Sequence, residues 1–413
     1  MIQPLQIIPT ETSPVPQRPL LGVTAPRGFL ASGVHCGLRK KRPDLALVIS
    51  ESLAATACVY TTNKVQAAPI IVTRENMSSN EGWARAIIIN AGNANACTGT
   101  QGLRDAKLMA QSVANELNIN DDEVIVSSTG VIGQALPIRT ILSGVPLVTE
   151  ALTHDGGASA AYAIQTTDTT LKQSVRRMTW MGRCYTIGGM AKGSGMIHPN
   201  MATTLGFITT DAGISPEDLQ LCLKAATEQS FNRITVDGDT STNDMITAMA
   251  NGASGLKLPP EAIRAFQQGL TEVLIDLARQ VASDGEGANR LITVRVTSAK
   301  SEAEALQVAR TIASSPLVKT AVHGADANWG RIIAAAGRAG VDMDPELAEI
   351  RINDLPLLEP GYRSNFDEEE ASRRLSEDEV VIRVDLGSGA SEATTWTCDL
   401  TADYIRINAS YRS

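Results

Sequence analysis

Residues 188–207 read Gly188-Gly189-Met190-Ala191-Lys192-Gly193-Ser194-Gly195-Met196-Ile197-His198-Pro199-Asn200-Met201-Ala202-Thr203-Thr204-Leu205-Gly206-Phe207. Four glycines in the first eight residues suit a chain that passes close to a ligand or to itself. A phosphate loop is excluded, because Gly193 follows Lys192 where G-x-x-x-x-G-K-[ST] needs a hydroxyl residue. From the glycines alone a flexible surface loop is expected. The residues beyond the glycines point to other chemistry. Ala202-Thr203 stands just before the apolar run Leu205 to Ile208, which puts a hydroxyl at the mouth of an expected buried strand. In a strained loop Thr203 Oγ can attack the Ala202 carbonyl and shift the acyl group from nitrogen to oxygen. Water then releases a new amino terminus. Such an α-amine titrates near about 7.7–8 and can act as general base for its own hydroxyl, without histidine. The β-branch of threonine restricts χ1 and holds Oγ in place.

No other constellation competes. His35, His154, His198 and His323 stand apart, with no spacing that would put two imidazoles on one metal. Cys36, Cys58, Cys97, Cys184, Cys222 and Cys398 include no C-x-x-C pair, so they are expected to be reduced and buried. The acidic-polar run Val236-Asp237-Gly238-Asp239-Thr240-Ser241-Thr242-Asn243-Asp244 lacks EF-hand spacing and its final Glu; it is taken as structural, capping a helix after it. No metal site is expected. With 36 Lys+Arg against 45 Asp+Glu, a net charge of −9 excludes a general binder of nucleic acid or anionic membrane and leaves small molecules or protein as partners. No stretch reaches the roughly 18–20 apolar residues of a membrane helix. Met1 to Phe29 carries six prolines where a signal peptide would have an apolar core, so a cytoplasmic protein is expected. A chain of 413 residues, 43% hydrophobic, is not disordered and has ample length for a core.

The elements that must position these residues alternate between α and β. Short runs at Leu45 to Ile49, Ala57 to Tyr60, Ile70 to Thr73 and Ala86 to Asn90 predict strands. Gly102 to Asn118 has helical spacing at Leu103, Ala106, Met109, Val113 and Leu117, and Glu123 to Ser127 returns to strand. Ser215, Pro216 and Asp218 form an N-terminal capping signature. A longer helix is expected from Pro260 to Val281, and others at Ser301 to Ser314 and Trp329 to Gly337. Strands are expected at Leu291 to Val296, Val380 to Val384 and Thr394 to Leu400. Gly361 to Asp378, dense in charge, predicts a surface loop or short exposed helix. The fold class is therefore α/β (α+β), in layers.

The segment G-G-M-A-K-G-S-G-M-I-H-P-N-M-A-T-T-L-G-F closely resembles the autoprocessing segment of the ornithine acetyltransferase family, the bifunctional glutamate N-acetyltransferases of arginine biosynthesis. Further stretches resemble family signatures in family order. They are Thr61-Thr62-Asn63-Lys64-Val65-Gln66-Ala67-Ala68-Pro69, Asn90-Ala91-Gly92-Asn93-Ala94-Asn95-Ala96, Ser127-Ser128-Thr129-Gly130-Val131-Ile132-Gly133, Thr166-Thr167-Asp168-Thr169, Asp284-Gly285-Glu286-Gly287-Ala288, Asp326-Ala327-Asn328-Trp329-Gly330-Arg331 and Tyr404-Ile405-Arg406-Ile407-Asn408-Ala409.

The resemblance implies an autoprocessing N-terminal-nucleophile fold, cut between Ala202 and Thr203 into fragments 1–202 and 203–413. The fragments stay associated, two copies of each. Thr203 maps onto the nucleophile, with Thr204 its adjacent rival, and Thr129 with Gly130 onto the oxyanion hole. Thr166, Lys192, Glu286, Asn408 and Ser413 align with substrate-contacting positions, with Thr167 the alternative to Thr166. Lys192 offers a cation for the substrate carboxylate, and Glu286 an acidic partner for a free amino group. Outside that resemblance, Thr129-Gly130 would be a strand-ending turn, Lys192 a solvated loop charge and Glu286 an exposed helix-cap residue. The implied activity passes an acetyl group from N-acetylornithine to glutamate in ping-pong fashion with no tightly bound cofactor, acetyl-CoA being the second donor that would make the enzyme bifunctional. The rivals are an N-terminal-nucleophile aminopeptidase, which would deliver the acyl group to water, and a non-catalytic metabolite-binding protein that stays uncut.

Overall fold

The structure, a computed structural model, describes residues 21–198 and 204–409. They form two compact units. One comprises residues 21–193, 204–232 and 240–278, the other 194–198, 233–239 and 279–409.

The first unit holds eight strands: β1 (Phe29–Val34), β2 (Leu45–Tyr60), β3 (Trp83–Asn93), β4 (Val124–Val131), β5 (Lys172–Trp180), β6 (Arg183–Lys192), β7 (Leu205–Thr210) and β8 (Met245–Ala250). Their order is β4-β3-β2-β8-β7-β6-β5, with β1 also paired to β2. The pairs β3/β4 and β7/β8 are parallel, each closed by a helical crossover, Gly99–Leu117 and Pro216–Glu228 respectively. β2 joins two halves of the sheet. Leu45 to Ile49 pairs with β3 and Ala55 to Tyr60 with β8, and the register with β3 shifts between Ile49 and Ala54. The halves bury a shared core. Ala46, Val48, Ile87, Ile89 and Ile125 come from one half and Met190, Leu205, Phe207, Met245 and Met249 from the other. The alternate residues of the first half, Leu45, Leu47, Ile88, Val124 and Val126, pack outward against Met109, Val113, Ile141 and Val145 of helices Gly99–Leu117 and Ile138–Glu150. On the outside of the other half, Gln220 of helix Pro216–Glu228 exchanges hydrogen bonds with the Cys58 backbone, and Phe266 of helix Pro260–Ser283 meets Tyr185. The layers therefore run helix, sheet, sheet, helix, with β7 and β8 buried along their whole length.

The second unit has a five-stranded sheet of β9 (Leu291–Ala299), β10 (Glu349–Ile352), β11 (Leu355–Leu358), β12 (Glu379–Asp385) and β13 (Ser391–Cys398), ordered β11-β10-β12-β9-β13. Only β9/β12 is parallel. One face, with Ile292, Val294, Ile350, Ile382 and Val384, packs on Val308 and Ile312 of helix Glu302–Ala313 and Ile332 of helix Trp329–Gly337.

The α/β class and most expected elements are found, and several expectations are corrected. Ile70 to Thr73 is not a strand but part of helix Ala68–Ser79; Pro69 in its first turn is a helix-start signal that outweighs the β-branched run. The glycine-rich stretch is not a loop up to Lys192, since Gly188, Gly189 and Lys192 lie within β6. The run ending at Asp244 precedes β8, not a helix. Of the cysteines, Cys97 and Cys184 are exposed and Cys36 is half-buried. Gly361 to Asp378 contains helix Glu368–Leu375, whose Ala371 and Leu375 are buried. No described helix is long and apolar enough to cross a membrane.

Candidate active site

In the first unit Thr129 and Gly130 lie inside β4, paired to Ala91 and Gly92 of β3, so they continue the strand rather than turn out of it. Gly130 has φ +132°, and a Cβ there would sit 2.3 Å from the Gly92 carbonyl carbon, so only glycine fits. Buried asparagines hold this strand end. Ser128 Oγ donates to Asn90 Oδ1 at 2.6 Å, and Asn243 Nδ2 donates to the Ser128 and Ala94 carbonyls at 2.9 and 2.6 Å. Thr61, from the Thr61 to Pro69 signature, braces the loop before β8: its Oγ1 donates to the Ser241 carbonyl at 2.8 Å and its N–H to the Asp244 carbonyl at 2.9 Å. Both signatures are thus scaffolding for the strand ends.

Lys192 closes β6 opposite Thr129. It is only 8% exposed, and its Nζ lies 3.3 Å from Thr129 Oγ1. It is a buried charge and not a solvated one. Around it stand three further titratable residues, Asp168, Lys172 and Asp244, to which the sequence reading gave no role. Asp168 Oδ1 accepts from Lys172 Nζ and from the Gly193 N–H, both at 2.7 Å. Asp168 Oδ2 accepts from the Thr166 N–H at 2.9 Å and its Oγ1 at 3.4 Å, which fixes Thr166 at this cluster. The third is Asp244, whose carboxylate is buried and receives the backbone amides of Ser241 and Thr204; among the described residues its Oδ2 has no hydrogen-bond partner.

Burial dominates the titration of this cluster. It pushes the Lys192 ammonium below its ordinary value, against the opposing pull of Asp168. It pushes Asp244 well above the carboxylate range, although Lys192 and the amide donors oppose it. Asp168 moves the other way. Burial alone would raise it, but the Lys192 and Lys172 charges and the Gly193 amide hold it far below the usual range. Asp168 is thus held ionised by its cationic neighbours, whereas burial favours the protonated form of Asp244.

In the second unit Glu286 is buried and not an exposed cap. Its Oε2 accepts from Asn408 Nδ2 at 2.7 Å, so the helix Ala402–Ala409 returns to the Asp284 to Ala288 signature. The Glu286 N–H donates to the Ser194 carbonyl at 3.0 Å. A Cβ on Gly195 would lie 2.3 Å from Glu286 Oε2, which explains a glycine at that point. Of the expected site residues, the structure brings Thr129, Gly130, Thr166 and Lys192 together in one unit and Glu286 with Asn408 in the other. Ala202, Thr203 and Ser413 lie outside the described residues. Among the described residues no group of His, Cys, Asp and Glu could hold a metal ion.

Sheet halves packed between helices, with a hydroxyl, an amide and a buried ammonium at the strand ends, define a layered α/β protein with a polar site where its strands end. Within that class it belongs to the ArgJ family, whose family model matches residues 30–413. The motif-based assignment is confirmed, and with it an acetyltransferase. The chain is 50% identical over 398 residues to the arginine biosynthesis bifunctional protein ArgJ of Symbiobacterium thermophilum, covering 95% of this chain and 98% of that one. It is 50% identical over 394 residues to the protein of the same name from Bacillus licheniformis, covering 95% and 96%. The solved ornithine acetyltransferase of Mycobacterium tuberculosis, complexed with ornithine, is 42% identical over 43% of this chain and 95% of that one, with a TM-score of 0.41.

Proposed function

We propose that the chain transfers the acetyl group of N2-acetyl-L-ornithine to L-glutamate through an acetyl-enzyme on Thr203, after cutting itself between Ala202 and Thr203. The observation that carries this reading is family membership over residues 30–413, on a scaffold that holds Thr129 and Lys192 within 3.3 Å. The freed Thr203 amine takes the proton of its own hydroxyl as Oγ attacks the acetyl carbonyl. The carbonyl oxygen becomes an oxyanion, stabilised by the Thr129 hydroxyl and the Gly130 N–H. Collapse breaks the C–N bond, the proton passes to the departing ornithine nitrogen, and the acetyl group stays on Oγ. The α-amine of glutamate then attacks the ester, loses a proton to the Thr203 amine and leaves as N-acetylglutamate, and that proton returns to Oγ.

Lys192 is assigned to the substrate carboxylate, Glu286 to a substrate amino group, and Thr166, Asn408 and Ser413 to further substrate contacts. The fragments 1–202 and 203–413 stay together in a heterotetramer of two copies each, in the cytoplasm. The bifunctional naming of the relatives supports acetyl-CoA as a second donor to glutamate. Denaturing mass spectrometry of active protein should return the two fragments; a fully intact chain in active material would overturn the processed nucleophile. Ornithine and N-acetylglutamate should form from N-acetylornithine and glutamate, and free CoA from acetyl-CoA and glutamate alone. Absence of the second release would leave a monofunctional enzyme that recycles the acetyl group.

A further inference from the structure

The Thr129 hydroxyl has one proton and two lone pairs, whereas an ammonium can only donate. Lys192 Nζ lies 3.3 Å from Thr129 Oγ1, the only hydrogen-bond partner of that hydroxyl among the described residues. An oxygen that accepts from Lys192 must turn its own proton elsewhere. Both groups are 8% exposed, so water competes little for either. A hydrogen bond accepted by a hydroxyl also polarises it and strengthens the one it donates.

We propose that Lys192 is a positioning residue for the oxyanion hole: by donating to Thr129 Oγ1 it aims the Thr129 proton at the developing oxyanion and makes it a stronger donor. The inference rests on the reading of Thr129 as an oxyanion donor and gives Lys192 a role besides the substrate carboxylate, for which its other two N–H groups remain. Asp168 supports it. The carboxylate is ionised and accepts from the Gly193 N–H at 2.7 Å, which fixes the backbone next to Lys192 and opposes the loss of its proton. A salt link that merely filled the core would leave Thr129 free to turn either way. The proposed link acts on the turnover step through Thr129 and through no other residue.

The test is a double-mutant cycle on acetyl transfer from N-acetylornithine to glutamate, using wild type, Lys192→Met, Thr129→Ala and the double variant, each checked for folding by circular dichroism. Loss of one oxyanion donor lowers kcat by about 10²-fold. The same order is expected of Lys192→Met, and the double variant should be no slower than the slower single. Where a variant stops at the uncut chain, the rate of self-cleavage, which also builds an oxyanion, replaces kcat in the cycle. If Lys192→Met does not fold, Lys192→Gln, which keeps an N–H for Thr129, should lose less kcat than Thr129→Ala; a loss as large as that of Thr129→Ala would overturn the inference. Single effects that multiply in the double variant, or a Lys192 effect confined to KM, would overturn the inference while leaving the proposed function standing. A wild type that transfers no acetyl group would overturn both.

Discussion

Lys172 Nζ lies 2.7 Å from Asp168 Oδ1, and both side chains are closed off from water. Because Asp168 also takes the Thr166 and Gly193 amides, this pair ties the start of β5 to the end of β6. Removing one partner of such a pair leaves an uncompensated buried charge and costs about 3–5 kcal/mol. Asp168→Ala should lose that much stability in urea unfolding at pH 7. The Asp168 value is depressed in the folded state, so its contribution is present above the unfolded carboxylate pKa of about 3.9 and is lost as pH falls through the folded value. The gap between wild type and Asp168→Ala should therefore narrow in acid; a gap independent of pH would show that the charge is not what stabilises.

Lys192 gives the opposite sign. Burial lowers its folded value, with Asp168 and Asp244 opposing, and Lys172 and Arg39 assisting. The native state then gives up this proton below the ordinary lysine value of about 10.4, so stability gains as pH rises through that window. Activity should do the reverse. As Lys192 loses its charge kcat should fall, while unfolding measurements show no loss of native protein. Lys192→Arg, whose guanidinium stays charged, should remove that alkaline limb even if its kcat is reduced; a limb unchanged in this variant would place the titration elsewhere.

Burial favours the protonated form of Asp244. An amide of the same shape is therefore a close substitute, and Asp244→Asn should alter stability by no more than about 1 kcal/mol and leave self-cleavage nearly unchanged. Asp244→Ala removes the acceptor of the Thr204 amide and should slow cleavage, followed as the loss of intact chain by mass spectrometry. Equal cleavage rates in the two variants would deny Asp244 that part.

Asn408 donates to Glu286 Oε2 at 2.7 Å. Hydrogen bonds to charged groups contribute about 1.5–3 kcal/mol, so on the proposed assignment of Glu286 to a substrate amino group Asn408→Ala should raise KM by roughly 10- to 100-fold with a smaller change in kcat. A change in kcat alone would remove Asn408 from substrate binding.

Local pattern is enough for elements that carry their own start signals. Ser215 Oγ accepts the Asp218 N–H at 3.1 Å, as the capping signature requires, and the helix Pro260–Ser283 obeys its apolar spacing. Met245–Ala250 carries no such signal, because a strand buried on both faces shows no alternation. Pro69 is the residue that separates helix from strand at Ile70 to Thr73. The motifs mark Thr129, Lys192 and Glu286, but Asp168 and Asp244 act through burial and through partners 24 and 52 positions from Lys192 in the chain, which no local spacing encodes. Asp168 at least lies within a family signature. Asp244 ends an acidic run that fails every metal spacing, and its role comes from burial instead.

The choice between Thr203 and Thr204 as nucleophile turns on the amide of Thr204. Thr204 is 2% exposed, its carbonyl accepts from the Met245 N–H at 3.1 Å, and its own N–H is directed to the Asp244 carboxylate. Were Thr204 the new terminus, that nitrogen would have to leave the Asp244 contact and become a free base at the strand mouth. A cut one residue earlier keeps every one of these bonds and frees the nitrogen of Thr203 instead. Thr203→Ala should therefore remain one chain of full mass and transfer no acetyl group. Thr203→Ser should still be cut, more slowly, because serine lacks the β-methyl that restricts χ1. Thr204→Ala should be cut at the same bond, since the backbone contacts do not need its hydroxyl. Normal cleavage of Thr203→Ala in denaturing mass spectrometry would move the nucleophile to Thr204 or elsewhere.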